Sequence, residues 1–253
     1  MAGAPGKAAL LQGRELALAS DRLASDGYVF LPALCDRAFT RHILSIARAR
    51  IAEARAALGD REIGIGSAAG FEEIVQRSPG RWDLPISPRR YGTNDRDLPW
   101  WPLITAVLGD DAEHSFSGVV FSDTGSPAQY WHIDSPHVSP EHLPAHAVNV
   151  LVALHDMTME MGPTEIARGS QFMTNHLSNP RLVPDQLVYQ HDATSPVTIV
   201  AGTDREVPDC EAPVPVAGSC LVFDDRILHR GLGNRSGRYR VGAQGPGVCQ
   251  CGL

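Results

Sequence analysis

From His114 onwards the chain reads as short apolar segments cut apart by turn residues, and this rhythm constrains the fold more than any other feature. Residues 116–122, 128–134, 145–155, 164–168, 197–200, 212–216, 219–224 and 238–243 carry the β-branched or alternating pattern of strands. Gly162-Pro163 is the clearest turn between them. In 145–155, Val148, Val150, Val152 and Leu154 alternate with Ala147, Asn149, Leu151 and Ala153. Asn149 is then a polar residue on a strand that is otherwise apolar. Its amide either points into the interior of the fold or is a satisfied structural group. Strands this short close into a double sheet of jelly-roll type, with any helices packed outside.

A helical lead occupies about residues 14–60. Leu16, Ala19 and Leu23 form one stripe, and Gly27 stops that helix. Tyr28-Val29-Phe30-Leu31 is a short strand ended by Pro32. Asp36 caps a second helix, along which Phe39, Ile43, Ile46, Arg50, Ala54 and Leu58 recur near helical spacing until Gly59. Residues 60–112 read as an irregular, lid-like segment rich in proline, holding Trp82, Arg89, Arg90, Tyr91, Trp100 and Trp101. Trp100 and Trp101 either anchor the core or face substrate. Residues 113–245 form the mainly β core and 246–253 a Gly/Cys tail, so residues 1–253 read as a single domain.

Composition narrows the function classes. An apolar content of 43 % excludes disorder as the main state. A net charge of −7 gives no bulk attraction to nucleic acid. No apolar run approaches the roughly 18 residues that a membrane span needs, and the start around Lys7 does not read as a secretory signal. The cysteines Cys35, Cys210, Cys220, Cys249 and Cys251 are odd in number and scattered, which points to a reducing, cytoplasmic setting. Oligomeric state is not legible.

One His-x-Asp occurs in the chain, His132-Ile133-Asp134. On a strand both side chains point to one face, with Trp131 and Ile133 facing away. They supply two thirds of the 2-His-1-carboxylate triad that holds non-haem Fe(II) and leaves positions open. Chance alone gives about 0.7 such pairs in a chain of this composition, so the motif needs support. Support comes from Leu221-Val222-Phe223, which leads to His229, and from a Gly/Asn/Ser turn that returns the chain to Arg240. The rigid guanidinium fork of an arginine beside iron can pair bidentately with the carboxylate of an oxoacid. The histidines His137, His142 and His146 follow in a Pro-rich stretch and read as loop residues. Met157 and Met159 either line a pocket or pack. Residues 175–213 look like an insertion that could wall the substrate.

With these residues in view, the sequence resembles the phytanoyl-CoA dioxygenase-like family of Fe(II)/2-oxoglutarate-dependent oxygenases. The matching residues are Gln129-Tyr130-Trp131-His132-Ile133-Asp134, then Met161-Gly162-Pro163-Thr164 continuing to Gly169-Ser170-Gln171, and His229 with Arg240. Met161 and Gln171 depart from the usual Asn and His. The resemblance spans roughly residues 14–245. It implies a double-stranded β-helix (jelly-roll, cupin-like) core flanked by helices. It also implies Fe(II), 2-oxoglutarate as co-substrate, O2, and a small-molecule substrate that is oxidised with release of succinate and CO2. His132, Asp134 and His229 would be the metal ligands, Arg240 the grip on the distal carboxylate, and Thr164 and Gln129 further co-substrate contacts. Asn149, read from strand alternation rather than from the family, is a further candidate for the co-substrate site. Related halogenases have Ala or Gly at the carboxylate position, so Asp134 favours hydroxylation or desaturation. Two other readings compete: a cupin-like metalloenzyme that needs no oxoacid, and a non-catalytic ligand-binding barrel. Arg240 separates the first from the oxygenase, and the complete triad separates the second.

Overall fold

A computed structural model describes residues 10–59, 75–86, 95–179 and 209–250. Helix α1 (Gly13–Asp26) buries Ala19 and Leu23 and ends at Gly27, whose φ of 79° is left-handed. Glycine is needed there twice over, because a Cβ would lie 2.3 Å from Gln171 Oε1 and 2.7 Å from Ile227 Cδ1. Strand β1 (Tyr28–Leu31) follows. Helix α2 (Arg37–Leu58) starts where the Asp36 carboxylate accepts a hydrogen bond from Phe39 N at 2.7 Å. It buries a stripe from Phe39 through Ile43, Ala47 and Ile51 to Leu58.

Residues 60–112, expected to be irregular, are partly regular. Strands β2 (Val75–Ser78) and β3 (Arg81–Pro85) make an antiparallel hairpin, and helix α3 (Trp101–Leu108) follows. Trp100 and Trp101 are buried in the main core, so they are anchors. Trp82 stacks on Phe121. Arg89, Arg90 and Tyr91 lie outside the described residues.

Strands β4 (Ala112–Ser122), β5 (Ala147–Ala153), β8 (Cys220–Asp224) and β10 (Arg240–Gln250) complete a seven-stranded antiparallel sheet in the order β1-β8-β5-β10-β4-β3-β2. A second sheet has the order β7-β6-β9, from β6 (Thr164–Ala167), β7 (Cys210–Glu211) and β9 (His229–Gly231). The two sheets make the double-stranded β-helix core, flanked by helices and without a closed barrel. Val148, Val150, Val152, Val119, Phe121, Val222 and Val241 face the helices. Tyr28, Leu221, Phe223, Ile166 and Ile227 fill a smaller core between the sheets.

Several strand boundaries differ from the sequence reading, each for a local reason. Residues 128–134 form no regular strand, only the bridge His132↔His229. Past that bridge the register slips, since Gln129 N rather than Tyr130 N reaches Gly231 O, and Gly231 N is taken by the Gln129 side chain. With alternation lost, Ile133 does not face away but lines the interior cavity. Residues 212–216 form no strand, although Pro215 O accepts from Met157 N, and the strand lies at β7 instead. The proposed strand 197–200 lies outside the described residues. The Gly/Cys tail is not a tail: β10 runs to Gln250, paired with both β4 and β5 through register shifts after Gln244. Residues 251–253 lie outside the described residues. His137 lies in a loop, as expected, but a buried one: it is 3 % exposed and bonds Thr174 Oγ1 through Nε2. No helix among the described residues is long and apolar enough to cross a membrane.

Candidate active site

The crossover from β8 to β9 delivers His229. Leaving the large sheet, Asp224 and Arg226 close a buried turn, with Nε on Oδ1 at 2.9 Å and Nη2 on Oδ2 at 2.6 Å. The chain then enters the small sheet at His229. His132 arrives on the adjoining segment through reciprocal backbone bonds of 3.0 Å with His229. The imidazole centroids are 4.3 Å apart. Asp134 completes the group, its N–H on Asp225 O at 2.8 Å. One ligand atom from each of His132, Asp134 and His229 lies within 4.8 Å of the others.

The orientation of the rings suits a metal. His132 Nδ1 sits 2.9 Å from Tyr130 O and His229 Nδ1 3.1 Å from Ile227 O. A carbonyl only accepts, so each Nδ1 carries the proton and each Nε2 presents a lone pair. His229 Nε2 is 3.4 Å from Asp134 Oδ2. Burial, followed by the neighbouring His229, holds the His132 imidazole well below its usual pKa, which keeps it neutral and able to ligate. Two imidazole nitrogens and a carboxylate, with no other ligand among the described residues, make an open facial set of the kind that suits iron.

Asn149 holds this set from behind. Its Nδ2 donates to Asp134 Oδ2 at 2.7 Å and to Asp225 Oδ1 at 2.9 Å. It faces inward, as the alternation of β5 implies, and its amide braces the Asp134 carboxylate from behind the cavity wall. The Asp225 carboxyl is pushed up to about 8 by burial and by the charges of Asp134 and Asp224.

A cavity of about 400 Å3 opens in front of the triad. Arg240, Thr164, Gln129 and Gly231 line it, as do Phe30, Leu151, Leu221, Phe223 and Met157. Met159 is exposed instead. Arg240 is 6 % exposed and donates to Gly162 O through Nη1. Among the described residues it has no carboxylate partner. Burial lowers its pKa to about 10, so it remains a cation at neutral pH. Beside it across β4 stands Arg81, in register through Ser122. Arg81 is 2 % exposed and donates to Ser122 Oγ and to the carbonyls of Pro127, Gly231 and Leu232. It ties β9 to the large sheet.

Arg81, and with it Arg77 and Asp83 in the cavity wall, escaped the sequence reading. The alternation of Arg81 and Asp83 with Trp82 and Leu84, between Gly80 and Pro85, is the signal that could have found them. His137, His142 and His146 form no second metal cluster among the described residues. Of the 175–213 segment, Pro213 reaches the cavity wall, and residues 180–208 lie outside the described set.

Comparison with known proteins agrees with this architecture. The epimerase SnoN, crystallised with Fe3+, alpha ketoglutarate and nogalamycin RO, aligns with a TM-score of 0.61 at 20 % identity, over 92 % of this chain and 82 % of that one. The non-haem alpha ketoglutarate dependent carbocyclase SnoK from nogalamycin biosynthesis gives 0.62 at 16 % identity, over 94 % and 83 %. AviO1 from Streptomyces viridochromogenes Tue57 gives 0.61 at 17 % identity, over 96 % and 98 %. At such identities these likenesses concern the fold. The family model for phytanoyl-CoA dioxygenase (PhyH) matches residues 25–242, which takes in the triad, the braced carboxylate and the buried arginine. The chain therefore belongs to the phytanoyl-CoA dioxygenase family of non-haem iron, 2-oxoglutarate-dependent dioxygenases.

Proposed function

We propose that this protein oxidises a small organic molecule, by hydroxylation or desaturation, with conversion of 2-oxoglutarate to succinate and CO2. The observation that carries this reading is the convergence of His132 Nε2, His229 Nε2 and the Asp134 carboxylate beside a buried guanidinium with no carboxylate of its own. His132, Asp134 and His229 are the proposed ligands. Fe(II), when bound, supplies the O2-activating chemistry. Arg240 binds the distal carboxylate of 2-oxoglutarate by charge-assisted hydrogen bonds, strengthened by its burial. Thr164 adds a hydroxyl donor at the same end. Gln129 contributes indirectly, since its Oε1 is held by Gly231 N at 3.0 Å and fixes the backbone next to His229. Phe30, Leu151, Leu221 and Phe223 keep water from the reacting carbon. Asp134 leaves no halide position, in keeping with an oxygen-transfer or hydrogen-removal outcome.

A role in specialised metabolism is favoured by SnoN and SnoK, both of which belong to nogalamycin biosynthesis. Their names record different reactions, epimerisation and carbocycle formation. On this fold the outcome is then set by which substrate atom the cavity turns toward the triad. An acyl-CoA substrate finds no support, because the described cavity wall offers Arg77 and Arg240 but no basic cluster for the CoA phosphates.

Anaerobic titration with Fe(II) and 2-oxoglutarate tests the proposal. A weak visible charge-transfer band is expected with the wild type and should vanish in His132→Ala and Asp134→Ala. Arg240→Ala should raise the 2-oxoglutarate concentration needed for the band at least about tenfold, the worth of a charge-assisted pair. A band that persists unchanged in the triad variants removes those residues from the site.

A further inference from the structure

We propose that Arg77 and Asp83 are the substrate-recognition pair of this cavity, and that they read two neighbouring hydroxyl groups on an uncharged, otherwise apolar molecule. The inference rests on the reading of the cavity as a substrate site and names the chemistry that the site selects.

Asp83 sits on β3, two strands from β10, in the cross-strand row Gly242–Val120–Asp83. All three residues line the cavity. The Asp83 side chain is 8 % exposed, and its Oδ2 accepts from Arg77 Nε at 2.9 Å. Its other oxygen, Oδ1, is buried and has no hydrogen-bond partner. A buried carboxylate short of donors is costly, and so a donor brought to its exposed edge is favoured.

Arg77 is placed for the complementary task. The β2–β3 register shifts between Gln76 and Ser78, which leaves Arg77 unmatched on β3 at a bulge. A bulge re-aims its side chain, and this one lines the cavity beside Asp83. Arg77 uses Nε on Asp83 and keeps its outer nitrogens as donors. The pair therefore offers one acceptor and further donors side by side. A hydroxyl group donates to the exposed edge of the Asp83 carboxylate, and its neighbour accepts from Arg77.

Charge selects against the alternatives. The pair is neutral as a whole. An anionic group meets Asp83, and an ammonium group meets Arg77, so neither gains from the pair. Away from the triad, Arg240 and Thr164, the wall presents Phe30, Leu151, Leu221 and Met157, an apolar stretch that suits a hydrocarbon body. Gly242 keeps the row open. A Cβ there would meet nothing nearer than Val152 O at 3.6 Å, so strand packing does not demand a glycine at this position, whereas space for a ligand does.

Saturation-transfer NMR on the full-length protein tests this with trans-cyclohexane-1,2-diol and its dimethyl ether, with cyclohexylammonium and cyclohexanecarboxylate as charged controls. The diol should receive saturation and the ether should not. Asp83→Leu should abolish diol binding. Asp83→Asn, which keeps the shape of the site, and Arg77→Gln should each weaken it about fivefold, the cost of one hydrogen bond. Equal binding of diol and ether, wild-type diol binding in Asp83→Leu and Arg77→Gln, preference for either charged control, or no diol binding at all would each overturn the proposal. This measurement needs no iron. If the wild-type charge-transfer band is absent while the diol still binds through Asp83, the oxygenase reading fails and the recognition pair stands.

Discussion

Asn149 gives its amide to two carboxylates at once, and this single residue links the triad to the strand behind it. Partners that orient a metal ligand typically account for ten- to hundredfold in metal affinity. Asn149→Leu should accordingly lower Fe(II) affinity by about that range in anaerobic titration, with the fold intact by circular dichroism. Unchanged affinity would show that Asp134 needs no brace. The second carboxylate of this pair leads to a pH effect. Asp225 in the folded, metal-free protein holds its proton up to about 8, above the ordinary value of 3.8. Between these values the folded state binds more protons than the unfolded state, so stability falls as pH rises through this window. Asp225→Asn cannot ionise and still offers an acceptor to Asn149. With a chelator present, its melting temperature should match the wild type near pH 4 and exceed it increasingly up to pH 9.

At the scale of elements, legibility followed locality. Helices α1 and α2 were readable because their signals lie within a few residues: the stripe, the Asp36 cap and the left-handed Gly27. Asp36→Ala should lower stability by about 1 kcal/mol in urea unfolding, the usual worth of an N-cap. The triad was readable because two ligands sit two residues apart and the third follows a buried strand. The β2–β3 hairpin was missed because its inward side chains are Arg81 and Asp83, and charged residues facing a core are legible only once the polar cavity between the sheets is known. The bridge at His132 was over-read as a strand because the slip at Gln129 depends on a side chain taking the place of a backbone group. The end of β10 was missed because its glycines accompany register shifts that no alternation rule anticipates. Arg81 now takes on a testable weight. Arg81→Met would leave the carbonyls of Pro127 and Leu232 without this donor, while Gly231 O keeps Gln129 N, and should cost about 3 kcal/mol or more. A loss as small as that of Asp36→Ala would mean that β9 is held by other contacts.

Across the whole molecule, the helices cover one face of the large sheet, so the other face and the small sheet must enclose the polar residues of the site. One consequence is that several histidines, only His137 of them fully buried, are held toward the neutral form. His137 is lowered to about 4, first by burial and then by the Arg226 guanidinium. His142 and His146 are lowered by the same two causes in the same order, and burial lowers His132 as well. Unfolded, each regains a value near 6.5. Below that point the unfolded chain takes up protons that the folded chain refuses. The stability these groups contribute is therefore complete above about pH 6.5 and is lost as pH falls below it. The metal-free protein should show a melting temperature that declines as pH falls from 6.5 to 5, where the histidines together outweigh the opposite slope of Asp225, before most carboxylates titrate. His137→Phe retains the buried ring and removes its titration. The variant starts lower at pH 7, having lost the bond to Thr174, but its decline should be shallower than that of the wild type. Parallel declines in the two proteins would assign the acid limb to the other histidines, and a wild-type curve with no decline above pH 5 would show that these rings accept protons in place.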